Sequence, residues 1–524
     1  MNNKRIRIAV DVRDLTLEMG MGVYLYNLLD EIYKDRRFSI VLISDDDIPD
    51  EFREVSHERR VVRAVSNDAW EKIIAPCELL KCDADIYFNP RNFGIIKRCP
   101  IPCVVTIHDL TPLMYEGFEG DYEYYKKQFA FSINKSDLIM VDSRTTYDDI
   151  NKLFPGNTSK IETVYLGVNK QFLLPCDRGK LGKLLYKLGL PSDYLLYVGS
   201  FAHQKNFILA LKTIKGLKEK GVNKKLVALG LKRTLKKEDF DFIVENELKD
   251  DVIFIDKVTK EQLPCLYDGA SILLFPSLYE GFGLPVLEAC ARYLPAIAYP
   301  SPTVKKLFKE GVIFSDMVDE WIEKAHELLT SKKNIYPYMK MKQEKIIRKY
   351  NWQDAASKTK DIFISLNKQK RKLNLSYVCS LLQFVYARFV TRNHISINIS
   401  SLILKGKLGV FLTARPEDLN RFLSLIPKAV HSSIVVFVNE NNDQYIDENI
   451  EIVKLNWGKQ FQVKELKNTI REEFDKKDIS QVVFIWNNAT GYGYHKIEKE
   501  FSKLFPNLSL MSFDIKNRLN VLKT

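Results

Sequence analysis

Phe275-Pro276-Ser277-Leu278-Tyr279-Glu280-Gly281-Phe282-Gly283-Leu284-Pro285-Val286-Leu287-Glu288-Ala289 reads as the end of a strand, a turn and the start of a helix. The apolar run before it stops at Pro276, Gly281 and Gly283 open a turn, and a helical pattern begins close to Gly283. Backbone N–H groups at a helix start lack intrahelical acceptors and are electropositive, so they suit an anion or sugar hydroxyls. Glu280 stands at the loop entrance. Glu288 lies one to two turns inside the helix, where it can reach back to a ribose-like diol. A glycine turn followed by a solvated helix glutamate fits the same spacing.

Outward from this stretch, short apolar runs alternate with helical patterns. Strands are predicted at 6–10, 40–44, 86–88, 103–107 and 138–141, with helices between them, as at 22–33 and 143–153. A linker with Pro175, Asp177 and Gly179 follows Gly167-Val168-Asn169. A second set has strands at 194–198, 225–229, 252–255 and 272–275 and helices at 207–218, 261–267 and 283–291. Buried strands alternating with helices imply parallel sheets covered on both faces. The predicted class is therefore α/β, with two doubly wound, Rossmann-like domains facing a cleft. Ligands in such sheets bind at the carboxyl ends of the strands. A third α/β unit is expected from strands at 408–412, 434–438, 452–455, 482–486 and 508–513 and helical patterns at 416–425, 463–474 and 496–504. The expected division is 1–170, 171–366, a basic and apolar linker at 367–392, and a small α/β domain at 393–524.

A length of 524 residues suits about three domains, and 46% hydrophobic with 28% charged residues is a globular mix. Disorder, collagen and a disulfide-stapled miniature are excluded as the main organisation. Lysine and arginine number 79 against 67 aspartates and glutamates, a net charge of +12 that suits an anionic partner. No recognition motif beyond that charge speaks for nucleic acid. The 8 cysteines contain no Cys-x-x-Cys pair, and Cys99 with Cys103 is a poor zinc signature, so structural thiols are expected. The first residues carry basic side chains without an apolar core, so no signal peptide is expected. No run of about 18 apolar residues suggests a membrane span. A cytoplasmic place follows. Asp45-Asp46-Asp47 ends a strand and raises metal binding of the Asp-x-Asp kind, although solvated strand-end aspartates are common. No P-loop and no His-Glu-x-x-His occurs.

Six pieces, the opening stretch among them, stand in order along the chain. They are Asp11-Val12-Arg13 with Gly20-Met21-Gly22-Val23-Tyr24; Thr106-Ile107-His108-Asp109-Leu110-Thr111-Pro112; Val141-Asp142-Ser143-Arg144-Thr145-Thr146; Val164-Tyr165-Leu166-Gly167-Val168-Asn169; Tyr197-Val198-Gly199-Ser200-Phe201-Ala202-His203-Gln204-Lys205-Asn206; and the Glu280-x7-Glu288 string. Together they resemble the family-4 retaining glycosyltransferases of GT-B fold over the first two units. Within that family they look most like the mannosyltransferases that build bacterial surface polysaccharides.

The resemblance implies a nucleoside-diphosphate sugar donor, GDP-mannose foremost, and transfer with retention to a hydroxyl of a glycan or lipid-linked oligosaccharide. It implies Lys205, Glu280 and His108 at the reaction centre. Lys205 would bind the diphosphate, Glu280 would orient the sugar, and His108 would touch a sugar hydroxyl or the anomeric region. Phe282, Gly283, Leu284, Glu288, Gly20 and Gly22 would complete the donor site, with Glu288 on the ribose. No metal or other cofactor is implied. The chain departs from the pattern at Ser200 and Gln204, where many relatives carry arginine; Lys232 or Arg233 would have to supply the missing cation. Ser143-Arg144 reads as a helix N-cap. A non-catalytic partner subunit and a nucleotide-sugar epimerase of the same fold stand as alternatives. Lys368, Lys370, Arg371 and Lys372, ahead of the apolar stretch 373–390, suit either an anchor on an anionic membrane surface or a core helix of the third unit.

Overall fold

The computed structural model describes residues 5–368, except 18–19, 65–66, 68–69, 98, 176 and 331–335, and then the backbone of six strands between 407 and 523. The predicted helices at 416–425, 463–474 and 496–504 and the stretch 373–390 lie outside the described residues.

The first sheet joins β1 (Ile6–Asp11), β2 (Phe38–Ser44), β3 (Glu58–Val61), β4 (Ile86–Asn89), β5 (Cys103–Ile107), β6 (Leu138–Val141) and β7 (Ile161–Thr163) in the order 3-2-1-4-5-6-7. Every pairing is parallel. β2, β4 and β5 are buried along their whole length, as a sheet covered by helices on both faces requires.

The second sheet joins β8 (Tyr194–Val198), β9 (Leu226–Leu229), β10 (Val252–Ile255), β11 (Ala270–Phe275), β12 (Ala296–Ala298) and β13 (Ile313–Phe314) in the order 10-9-8-11-12-13, again parallel throughout. Each sheet reverses its winding once, between β1 and β4 in the first and between β8 and β11 in the second. Crevices open at the carboxyl ends of such strand pairs. The sequence stretches singled out above follow those strand ends.

The third sheet joins β14 (Lys407–Leu412), β15 (Ile434–Asn439), β16 (Glu451–Leu455), β17 (Ile479–Ile485), β18 (Ser509–Phe513) and β19 (Leu519–Lys523) in the order 16-15-14-17-18-19. Five of these strands fall where the apolar runs predicted them. β19 was not anticipated, and it is the antiparallel member.

One boundary differs from expectation. The helix Trp352–Lys368 was assigned to the second domain but packs on the first. Its Phe363 ring meets Phe88 at 5.7 Å and Phe38 at 6.5 Å between centroids. Gly167 lies so close to Trp352 that a Cβ there would sit 2.2 Å from the Trp352 nitrogen. Over the described residues the chain thus crosses between the domains twice, and the apolar face of the helix Trp352–Lys368 is buried in the first domain's core.

Candidate active site in the interdomain cleft

The first-domain wall is built from the ends of β1, β4, β5 and β6. Asp11 ends β1, and its carboxylate is 0% exposed; Arg13, 2% exposed, grips it at 2.9–3.3 Å. Tyr87 donates to Asp11 Oδ2 at 2.9 Å, Trp70 at 3.2 Å, and Arg91 lies 3.4 Å from Oδ1. Burial alone would raise the Asp11 pKa, but Arg91 and Arg13 outweigh it and hold the group at about 2. His108 follows β5. Its Nδ1 is 2.7 Å from Asp142 Oδ2 and its Nε2 is 2.9 Å from the Pro90 carbonyl. A carbonyl can only accept, so Nε2 carries a proton, and a second proton lies between Nδ1 and Asp142. Burial opposes a charged imidazole, yet Asp142 raises the His108 pKa overall. Tyr24, from the helix Gly20–Tyr33, sets its ring edge-on to His108 at 4.8 Å and bonds Thr106 at 2.9 Å. Ser143 caps the helix Arg144–Leu153 by accepting from the Thr146 N–H, as predicted, and Arg144 is exposed.

The second-domain wall is built from the segments after β8 and β11. Lys205 ends a short turn, His203–Lys205, and its Nζ is 2.6 Å from Glu280 Oε1. The Gln204 carbonyl accepts from the Leu278 N–H at 2.8 Å and from Ser277 Oγ at 3.3 Å, tying the two segments together. Gly283 caps the helix Leu284–Ala291 with φ +100°, a left-handed conformation that favours glycine. Among the described residues, the N–H groups of Phe282, Gly283 and Leu284 make no protein hydrogen bond. They form the electropositive helix entrance that the sequence suggested. Glu288 is 9% exposed, and burial pushes its pKa up to about 7. It is therefore a buried carboxylate, not a solvated helix glutamate.

The walls meet. Tyr279 donates to Asp149 Oδ2 of the first domain at 2.6 Å. Gly281 packs on the His108 carbonyl so tightly that a Cβ would lie 2.0 Å from its oxygen. The structure thus brings Lys205, Glu280, Phe282, Gly283 and His108 to one region. Gly20 opens the helix that carries Tyr24, and Gly22 packs against the Thr16 carbonyl. Lys232 and Arg233 lie on an exposed turn after β9, and among the described residues neither contacts Lys205, Glu280 or Glu288. Asp45 is half-buried near Arg13, while Asp46 and Asp47 are exposed. Among the described residues, no three His, Cys, Asp or Glu side chains group as a metal site needs.

Sequence reasoning missed Tyr279, Asp149 and Tyr267, and it did not pair His108 with Asp142. Only the last had a signal: two polar residues following adjacent predicted strands at their carboxyl ends.

Residues 19–172 match the family model described as Glycosyltransferase Family 4, and residues 187–349 match Glycosyl transferases group 1. The O-antigen chain mannosyltransferase RfbU of Salmonella typhimurium is 26% identical over 216 residues, 41% of this chain and 57% of the relative. The O-antigen chain mannosyltransferase B of Escherichia coli is 26% identical over 247 residues, 46% of this chain and 64% of the relative. The chain thus spans less than two thirds of either relative. The structure of Anabaena HepE, in complex with UDP and glucose, superposes with a TM-score of 0.56 at 14% identity, covering 69% of this chain and 100% of HepE. That likeness shows the fold: two parallel-sheet domains of GT-B type. Matched in order across both sheets, over more than half of its length, the chain belongs to the family-4-type glycosyltransferases of GT-B fold.

Proposed function

We propose that this protein transfers a sugar, with retention, from a nucleoside-diphosphate sugar to a hydroxyl of a glycan or lipid-linked oligosaccharide in surface polysaccharide synthesis. GDP-mannose is the favoured donor, on the strength of the relatives' names. The observation that carries the reading is the Lys205–Glu280 pair beside the unbonded N–H groups of Phe282, Gly283 and Leu284. A cation and aligned dipoles at one point suit a leaving diphosphate, on which negative charge grows as the anomeric bond breaks. Donor binding would separate the pair, turning Lys205 to the phosphates and Glu280 to sugar hydroxyls. Glu288 would accept from the ribose.

His108, with both ring nitrogens already bonded, serves as a charged wall at the sugar and not as a general base. No side chain acts as nucleophile; the acceptor attacks on the face from which the diphosphate leaves, and a phosphate oxygen takes the acceptor proton. The contacts between the walls exclude water from this step. No metal takes part. The protein works in the cytoplasm, with its acceptor at the inner face of the membrane; among the described residues no helix is long and apolar enough to cross one.

A panel of nucleotide sugars, scored by thermal shift and by nucleoside-diphosphate release with and without EDTA, tests this. A bound ligand raises the melting temperature by mass action. GDP-mannose should give the largest shift and be turned over in EDTA. No shift with any nucleotide sugar would refute the reading, and activity only with Mn²⁺ would return attention to Asp45–Asp47.

A further inference from the structure

The ribose contact leaves one feature of Glu288 unexplained. Its Oε2 accepts from the Tyr267 hydroxyl at 2.6 Å, while Oε1 makes no protein hydrogen bond among the described residues. Tyr267 is 1% exposed, on the helix Leu263–Gly269, and its ring meets Phe172 edge-on at 5.1 Å. The next residue, Asp268, grips Arg292 at 2.7 and 2.5 Å, and Arg292 also donates to the Phe172 and Leu174 carbonyls at 3.1 and 2.6 Å. Tyr267 is thus clamped between two helices and the interdomain linker, and its hydroxyl has a fixed direction.

We infer that Tyr267 is a positioning residue: its hydroxyl holds the Glu288 carboxylate in one orientation, leaving Oε1 and the free lone pair of Oε2 to accept both hydroxyls of the donor's ribose. This rests on the reading of Glu288 as the ribose acceptor. A flexible glutamate would lose rotamer freedom on binding; a fixed one has lost it already. The hydroxyl also favours the ionised carboxylate, against the burial that pushes it up to about 7. The ionised form accepts more strongly than the protonated one, which also turns one oxygen into a donor, so ribose recognition weakens as pH falls through neutrality. Of the other charged groups on the elements packed around Glu288, Asp268 is bonded to Arg292, Lys170 to Asp30 and Lys342 to Glu310; Lys305, Lys306, Lys340, Lys345, Arg348 and Lys349 are exposed, and Glu344 is half-buried. Cys290, on the same helix, is buried and held neutral, its thiol pushed up to about 12.

The test is calorimetric titration of the full chain with GDP and UDP and with their 2′-deoxy forms, across neutral pH, for wild type, Tyr267→Phe and Glu288→Gln. Hydrogen bonds to a charged group predict a wild-type preference for the ribose form of roughly tenfold or more. Tyr267→Phe should cut that preference several-fold and move its pH midpoint upward with the melting temperature little changed. An unchanged preference and midpoint in Tyr267→Phe, with the preference abolished in Glu288→Gln, would overturn the inference alone. A preference that survives Glu288→Gln would overturn the ribose reading and the inference with it. The wild type supplies a check that needs no variant: a ribose preference flat across neutral pH also overturns the inference.

Discussion

The two walls of the cleft spend their charged groups differently. In the first domain, Asp11, Arg13, Asp142 and His108 are buried and bonded to groups of their own domain. In the second, Lys205 and Glu280 are bonded to each other across two loop segments, close in sequence to the N–H groups of Phe282, Gly283 and Leu284, which have no protein acceptor among the described residues. A buried pair loses much when one partner goes, because the other charge is stranded. The Lys205–Glu280 pair keeps 25% and 13% of its side chains exposed, so a ligand entering the cleft can take the place of either partner. On the first wall the Asp11–Arg13 pair is therefore scaffold, while the Lys205–Glu280 pair of the second belongs to the proposed donor site, although both arise from polar residues at strand ends.

The sharpest way to break this contrast is to cut one charge from each wall. Asp11→Ala strands the buried Arg13 guanidinium and should destabilise the protein by about 3–5 kcal/mol. Glu280→Gln should leave the melting temperature near that of wild type while abolishing most transfer. Equal melting temperatures for the two variants would show that the Asp11–Arg13 pair is not scaffold.

Acid sharpens the same point. Asp11 titrates at about 2 in the folded chain against an ordinary value of 3.8. A depressed carboxylate contributes stability that is present above its unfolded pKa and lost as pH falls through the folded one. Between pH 4 and 2 the wild type should lose about 2 kcal/mol through this group. Asp11→Asn should show a correspondingly shallower acid unfolding curve. The smallest effect belongs to the contact between walls. Tyr279→Phe removes one hydrogen bond to Asp149, worth roughly 1 kcal/mol. Transfer should fall several-fold while nucleoside-diphosphate affinity, a property of the second wall, stays within about twofold.

What the sequence could show follows from the range of the interactions. Apolar runs between helical patterns are local, so most strands of all three sheets were legible, as was the Ser143 cap, whereas β3, β7, β12 and β13, each of two to four residues, and the antiparallel β19 were not. The loop Phe275–Ala289 was legible because its turn, its helix start and both glutamates lie within one short stretch. Tyr267 was not, because the helix that carries it meets Glu288 only once the two helices are packed. Tyr279 looked like one more residue of the loop until the first domain supplied Asp149. The helix Trp352–Lys368 was assigned to the wrong domain because chain order says nothing about which core an amphipathic helix returns to. Ser200 and Gln204 were read as one phosphate cation too few. Lys232 and Arg233 sit on an exposed turn after β9 and, among the described residues, make no bond to Lys205, Glu280 or Glu288, so the proposed diphosphate contact rests on Lys205 and the helix entrance.

That makes Lys205 the point where the account is tested most directly. Calorimetric titration of wild type and Lys205→Ala with GDP and with guanosine separates the phosphate contact from the nucleoside contact. If Lys205 is the diphosphate ligand, the substitution lowers GDP affinity by roughly 10- to 100-fold, in line with a charge-assisted hydrogen bond, and leaves guanosine unchanged. Equal loss for both ligands, or no loss for GDP, would contradict the assignment of the second wall as the donor site.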